Sequence, residues 1–221
     1  MFDITKLILR IPNFLTHEEC DSLINEYEHR QIEACLETSR NYNTDKIEDS
    51  SFEVVELNPN TFNYNLIRDK TKKIVKEYIN YLDQPKYFFT KLLKESLKFS
   101  HSYRVMKYKE GSSIFPHTDH GLGIYGSVTF NLNDDYTGGE FSFFNGKHSI
   151  TLGKGEAIIF PADYFWVHEV APITKGTRYS LNSFLLKYPY QVQSQLSYVA
   201  TGLSQYYERH IPSEAVLGPY N

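Results

Sequence analysis

The fold turns on Ile114–Asn133, IFPHTDHGLGIYGSVTFNLN. A short β-prone run carries His117 and Asp119, the glycines at 121 and 123 break it, and a longer β-prone run extends from Tyr125 to Asn133. On a strand, residues i and i+2 project from the same face. His117 and Asp119 therefore aim an imidazole and a carboxylate at one point, and both groups bind first-row metals. So short a pair means little without structural context. His17 and Glu19 repeat it at the start of a helix, where i and i+2 do not share a face.

Outward from this stretch the pattern stays one of short strands and turns. Upstream, His101 to Lys109 alternates, which sets Arg104, Met106 and Tyr108 on one face, and Glu110–Ser113 turns. Downstream, Asp134–Gly139 is a turn, Glu140–Phe144 a strand, and Asn145-Gly146 a hairpin signal. His148–Leu152, Glu156–Phe160, Trp166–Val170 and Arg178–Leu186 complete the series. Such a run of short strands predicts a mostly β fold, a sandwich or barrel. Gly121-x-Gly123-x-x-Gly126 has dinucleotide-binding spacing, but it leads into a strand, and that site needs a helix N-terminus.

The N-terminal part reads differently. Residues 7–14 suggest a strand running into Pro12. Thr16 and Glu19 form a capping box ahead of a helix carrying Cys20, Leu23, Ile24 and Tyr27 on one face. The polar segment 38–51 reads as a mobile loop, and Phe52–Leu57 as a short strand. Ile67, Thr71, Ile74, Val75, Tyr78, Ile79 and Leu82 predict a second helix, ended by Pro85. Two helices ahead of an all-β run predict helices packed on one outer face. The expectation is a single domain over 1–221: helical support at about 15–84, a β core at about 99–187, and a segment 188–221 with a helix near Val192–Glu208 and a tail from Ile211.

Composition bounds the function. The 221 residues are 41% hydrophobic and 23% charged, as in a soluble globular protein. A net charge of −4 argues against a nucleic-acid-coating protein, and no apolar run is long enough to span a membrane. The charge is uneven: residues 18–57 hold 12 acidic against 3 basic side chains, and 68–98 hold 9 basic against 4 acidic. These read first as solvated faces and second as steering fields for a substrate. Cys20 and Cys35 form no framework, and no signal peptide is evident, so a reducing cytoplasm is expected.

His168 shares a strand face with Trp166 and Val170, where a histidine is more often part of a satisfied core. Its downstream neighbours tilt the balance. Arg178, Ser180 and Asn182 make a polar stripe on one face of a strand whose inner face would ordinarily be apolar. An inward guanidinium needs an anion, and no acidic residue has matching spacing. A bound dicarboxylate, held through a bidentate contact with help from Ser180, would satisfy it.

His117-x-Asp119, His168, and Arg178 with Ser180 behind it resemble the signature of the Fe(II)/2-oxoglutarate-dependent dioxygenases. Tyr108-Lys-Glu-Gly111, Asn131-Leu-Asn133, Gly138-Gly-Glu140-Phe141 and Gly155-Glu-Ala-Ile-Ile-Phe-Pro161 are similar to words of the prolyl 4-hydroxylase-like branch. The resemblance covers about residues 99–187 and implies a double-stranded β-helix. It implies that His117, Asp119 and His168 hold Fe(II), with three positions left for 2-oxoglutarate and O2. Arg178 and Ser180 would take the distal carboxylate, with Tyr108 and Asn131 as further cosubstrate contacts. Asn131 stands where a tyrosine is often found. Arg178 replaces the lysine of the collagen prolyl hydroxylases, so a collagen-type substrate is not implied.

The implied activity is hydroxylation of an unactivated C–H bond with release of succinate and CO2. The carboxylate at 119 favours it over halogenation. A prolyl or other residue of a protein or peptide is the first substrate class, and a free amino acid or small molecule the second. A non-catalytic, metal-binding cupin-like module is the reading from another class. A nucleic-acid demethylase has only the Lys70–Lys98 basic stretch behind it. Trp166 and His120 are the neighbours from which a substrate contact would come. The alternation nonetheless turns His120 to the opposite face, and an aromatic such as Trp166 more often packs.

Overall fold

The computed structural model describes residues 3–41, 46–84, 89–119, 123–189, 191–192, 195 and 214–220, with the side chains at 38–48 excepted. After a 3-10 turn at Ile4–Leu7 come β1 (Leu9–Ile11), α1 (His17–His29), β2 (Cys35–Asn41), β3 (Lys46–Glu56), α2 (Phe62–Asp83) and α3 (Thr90–Ser96). The β core comes next: β4 (Phe99–Tyr108), β5 (Ile114–His117), β6 (Ile124–Asn131), β7 (Thr137–Gly138) and β8 (Phe141–Phe143). It continues with β9 (His148–Ile150), β10 (Ala157–Pro161), β11 (His168–Val170), β12 (Ile173–Lys175), β13 (Arg178–Leu186) and β14 (Glu214–Val216).

The larger sheet runs β1-β10-β6-β13-β4-β3-β2, with β14 added to β4. The smaller runs β5-β11-β8-β9. All their pairings are antiparallel. The sheets close over one another, with Phe160 of the larger edge-on to Phe141 and Phe143 of the smaller at 5.7 and 5.0 Å. This is the double-stranded β-helix.

The helices form as their apolar spacing requires. Thr16 Oγ1 accepts from Glu19 N–H at 3.2 Å, and Glu19 Oε2 accepts from Thr16 N–H at 2.8 Å, closing the capping box. The same carboxylate takes Lys70 Nζ at 2.6 Å and so ties α1 to α2. Cys20, Leu23 and Tyr27 of α1 and the whole predicted face of α2 are buried against the outer face of the larger sheet, on Val105, Val128, Phe130 and Leu181. The H-x-E decoy is thereby spent on capping. Gly155 makes a close approach possible: with φ +77°, it accepts the N–H groups of Phe14 and Leu15, and a Cβ there would lie 2.4 Å from Leu15 O.

Three expectations are corrected. The segment 38–51 is not a loop: outside 42–45, which lie beyond the described residues, it belongs to the β2–β3 hairpin. Its composition misled because the hairpin extends the sheet edge and is paired by backbone; Phe52, Val54 and Val55 are buried where β3 meets β4. The helical support at 15–84 therefore contains two strands of the larger sheet. The tail from Ile211 includes β14, which pairs Glu214–Val216 with His101–Phe99 and buries Ala215. The helix expected near Val192–Glu208 and the end at Pro85 lie essentially outside the described residues.

Candidate active site

A pocket of about 360 Å³ opens between the two sheets. From the larger sheet come Met106 and Tyr108, Ser127 and Thr129, and Arg178, Ser180 and Asn182. From the smaller come Ile114, His117, Phe141, His168 and Val170, with Asp119 just beyond β5.

His117 and His168 meet because β5 and β11 pair in the register that sets them opposite each other. Their ring centroids are 4.2 Å apart. Asp119 lies between them, with Oδ1 3.4 Å from His117 Nε2 and Oδ2 3.4 Å from His168 Nε2. Among the described residues these three form the one group whose ligand atoms converge, all within 4.8 Å. Donors about 2.1 Å from one ion and at right angles would sit about 3 Å apart, so the set fits a small divalent metal.

Both tautomers are fixed. His117 Nδ1 donates to Phe115 O at 2.8 Å, and His168 Nδ1 donates to Trp166 O at 2.9 Å. Each Nε2 lone pair is left toward Asp119, the arrangement a metal-binding histidine needs. His168 is buried, stacked on Phe141 at 5.3 Å and walled by Phe143 and Phe160. For Asp119, burial works against the carboxylate, but His168 and His117 outweigh it and hold the pKa well below the usual range. For His117, burial disfavours the charged form, and the Asp119 contact outweighs it and raises the pKa. Two imidazoles and one carboxylate set this close favour a cation among them, which is what a metal site supplies.

The opposite wall is cationic. Arg178 is 1% exposed and meets no carboxylate among the described residues. Its Nε donates to Asn131 Oδ1 at 3.2 Å, its Cζ lies 5.0 Å over the Tyr108 ring, and its Nη1 has no hydrogen-bond partner. Ser180 Oγ and Asn182 Oδ1, buried on the same strand face, also lack partners. Gly139 gives Arg178 its passage: at φ +70°, a Cβ there would stand 2.5 Å from Ile173 Cδ1 and 3.2 Å from Arg178 Cδ. Tyr108 is fully buried, its hydroxyl donates to Met106 Sδ at 3.4 Å, and burial pushes its pKa up to about 12.

The other named candidates fall elsewhere. Asn131 does not line the pocket; its Nδ2 donates to the carbonyls of Asn133 and Leu152, and its Oδ1 accepts from Arg178 and Tyr136. Trp166 is packed on Phe143 and Phe144 behind His168, away from the pocket lining. His120 lies outside the described residues. No helix succeeds the glycines at 121–126; Gly123 turns directly into β6. The acidic excess at 18–57 is largely spent in pairs, Glu28 with Lys107, Glu37 with Arg104 and Glu53 with Lys109. Ser127 was missed. Its signal was the Tyr125-x-Ser127-x-Thr129-x-Asn131 alternation, a second polar stripe that β6 lays directly beside that of β13.

Residues 103–186 match the family model of the 2OG-Fe(II) oxygenase superfamily. Over that stretch the chain is similar to this superfamily. The chain is 29% identical over 175 residues to rat procollagen-lysine,2-oxoglutarate 5-dioxygenase 1, covering 77% of this chain and 22% of that protein. It is 31% identical over 85 residues to a PKHD-type hydroxylase of Idiomarina loihiensis, covering 35% of this chain and 38% of that one. It thus spans about a fifth to two-fifths of the length of these curated relatives. Two solved structures share the fold. The viral collagen prolyl hydroxylase from Paramecium bursaria Chlorella virus-1, in its 2OG complex, superposes with a TM-score of 0.59 at 20% identity, covering 82% of this chain and 96% of that one. The Trichoplax adhaerens prolyl hydroxylase, in complex with a hypoxia-inducible-factor peptide fragment, gives 0.62 at 15% identity, covering 87% and 88%.

Proposed function

We propose that this chain is a 2-oxoglutarate-dependent hydroxylase that holds Fe(II) on His117, Asp119 and His168. Arg178 carries the reading: a buried guanidinium with a free Nη1 and no carboxylate near it among the described residues calls for an anionic ligand inside the pocket. Bound together, Fe(II), 2-oxoglutarate and O2 supply the oxidative decarboxylation that releases succinate and CO2 and places one oxygen in a C–H bond.

The chain's residues do the rest. The Nδ1–H bonds of the two histidines keep each Nε2 aimed at the ion. Arg178 takes the distal carboxylate of the cosubstrate with Ser180 beside it, and Asn131 holds the guanidinium in place. Met106, Ile114, Phe141 and Val170 keep the walls between these poles apolar, which strengthens each contact and excludes water.

For the substrate we favour an uncharged residue, prolyl first, in a protein or peptide. Two solved neighbours are prolyl hydroxylases, and one of them holds a peptide. Asp119 is the sole acidic residue among the described lining, and it belongs to the metal set. The described lining therefore offers no free carboxylate to a cationic side chain such as a lysyl ammonium. The chain is read as one catalytic unit, and its two free cysteines fit a reducing compartment such as the cytoplasm. No described helix is long and apolar enough to cross a membrane.

The test is anaerobic. Fe(II) and then 2-oxoglutarate are added while the weak visible charge-transfer band of the chelate is tracked, with His168→Ala as control. The expected band needs both additions and is absent in the variant. Its absence in folded wild-type protein would overturn the cosubstrate reading and bring the metal-binding module forward.

A further inference from the structure

Asp119 sits just past the end of β5. β5 ends at His117, so no sheet ladder among the described residues fixes the backbone at Asp119. The carboxylate is tied instead from the opposite sheet. Ser127 Oγ donates to Asp119 Oδ2 at 2.6 Å. Ser127 is 3% exposed and sits in the middle of β6, paired with Phe160 on one side and Phe184 on the other. Its backbone is held on both sides, so the hydroxyl is a fixed donor. Each oxygen of Asp119 lies 3.4 Å from a histidine Nε2, Oδ1 from His117 and Oδ2 from His168, but among the described residues Oδ2 alone also accepts the short Ser127 hydrogen bond.

On the reading of His117, Asp119 and His168 as metal ligands, we propose that Ser127 is a positioning residue that occupies Oδ2, so that Asp119 offers the ion the single oxygen Oδ1. A triad of this kind works because the remaining positions of the ion stay open. A carboxylate that swung round to bind through both oxygens would close one of them. A hydrogen bond to one oxygen opposes that swing and fixes the direction of the other. Ser127 thereby does for Asp119 what the Phe115 and Trp166 carbonyls do for the histidines.

Cobalt(II) serves as the probe, because it is stable in air and its visible absorption reports coordination number. It is titrated into metal-free wild type, Ser127→Ala and Ser127→Thr, and the melting temperature of each metal-free protein is recorded. The expected result for Ser127→Ala is cobalt binding about tenfold weaker with an altered visible spectrum. Ser127→Thr keeps the hydroxyl and restores both, and the melting temperatures agree. An unchanged affinity and spectrum in folded Ser127→Ala would overturn the proposal, as would a Thr variant as impaired as the Ala variant. Should Ser127→Ala not fold, Ser127→Cys, of similar shape and a weaker donor, is read the same way. Wild-type protein that binds no cobalt would overturn the metal-site reading itself, whereas normal wild-type binding with an unaffected variant overturns only the role of Ser127.

Discussion

The two faces of the larger sheet are built from the same strands and do opposite work. Along β13, Tyr179 and Leu181 pack outward toward the helices, while Arg178, Ser180 and Asn182 point into the pocket. Along β6, Val128 and Phe130 go outward and Ser127 and Thr129 inward. The outer face is a dry core completed by Leu23, Ile67 and Ile74. The inner face keeps buried polar atoms without partners, each costing about 1–3 kcal/mol. Period 2 thus lets one strand add stability on one side and forgo it on the other, where a ligand is to supply the missing contacts.

Substitution on either face tests that contrast. The largest effect is expected from Arg178→Ala. It should weaken 2-oxoglutarate binding about 100-fold, the scale of a lost charge-assisted carboxylate contact, while metal affinity and the melting temperature of the metal-free protein hold. Calorimetric titration checks it, and an unchanged 2-oxoglutarate affinity would remove Arg178 from the cosubstrate site. Leu23→Ala, on the outer side, should do the reverse. Denaturant unfolding should show a loss of about 3 kcal/mol, with 2-oxoglutarate affinity unchanged where the protein is folded.

Gly139→Ala probes the boundary between the faces. Its positive φ and the 3.2 Å approach to Arg178 Cδ predict a stability loss of about 1–2 kcal/mol together with several-fold weaker 2-oxoglutarate binding. A loss of stability alone would separate the turn from the guanidinium. The smallest effect belongs farthest from the pocket: Thr16→Ala removes one capping hydrogen bond and should cost about 1 kcal/mol in thermal or chemical unfolding, with no change in ligand affinity.

Much of this division was legible in the chain. The alternation of Arg178, Ser180 and Asn182 against Leu181 marked an inner polar stripe, and the spacing from Ile67 to Leu82 marked the helix face that covers the other side. The parallel stripe on β6 was equally present in the residues, yet Ser127 and Thr129 are common strand residues and gain meaning only beside β13. The hairpin at 35–56 was hidden because an edge hairpin held by backbone bonds leaves no apolar periodicity. Asn131 was expected at the cosubstrate and instead stands behind Arg178, since nothing local says that its amide bridges Arg178 to the carbonyls at 133 and 152.

Side-chain type and strand period are local properties, so the candidate site residues, and the strands that hold them, could be read along the chain. What those residues meet was set by the tertiary structure. It placed His117 against His168 through the β5–β11 register and left Arg178 without a counter-charge among the described residues. It also gave Asp119 its restraint from Ser127 on the facing sheet. Such contacts join positions that only the closure of two sheets brings within hydrogen-bonding range, and no periodicity along the chain encodes that distance.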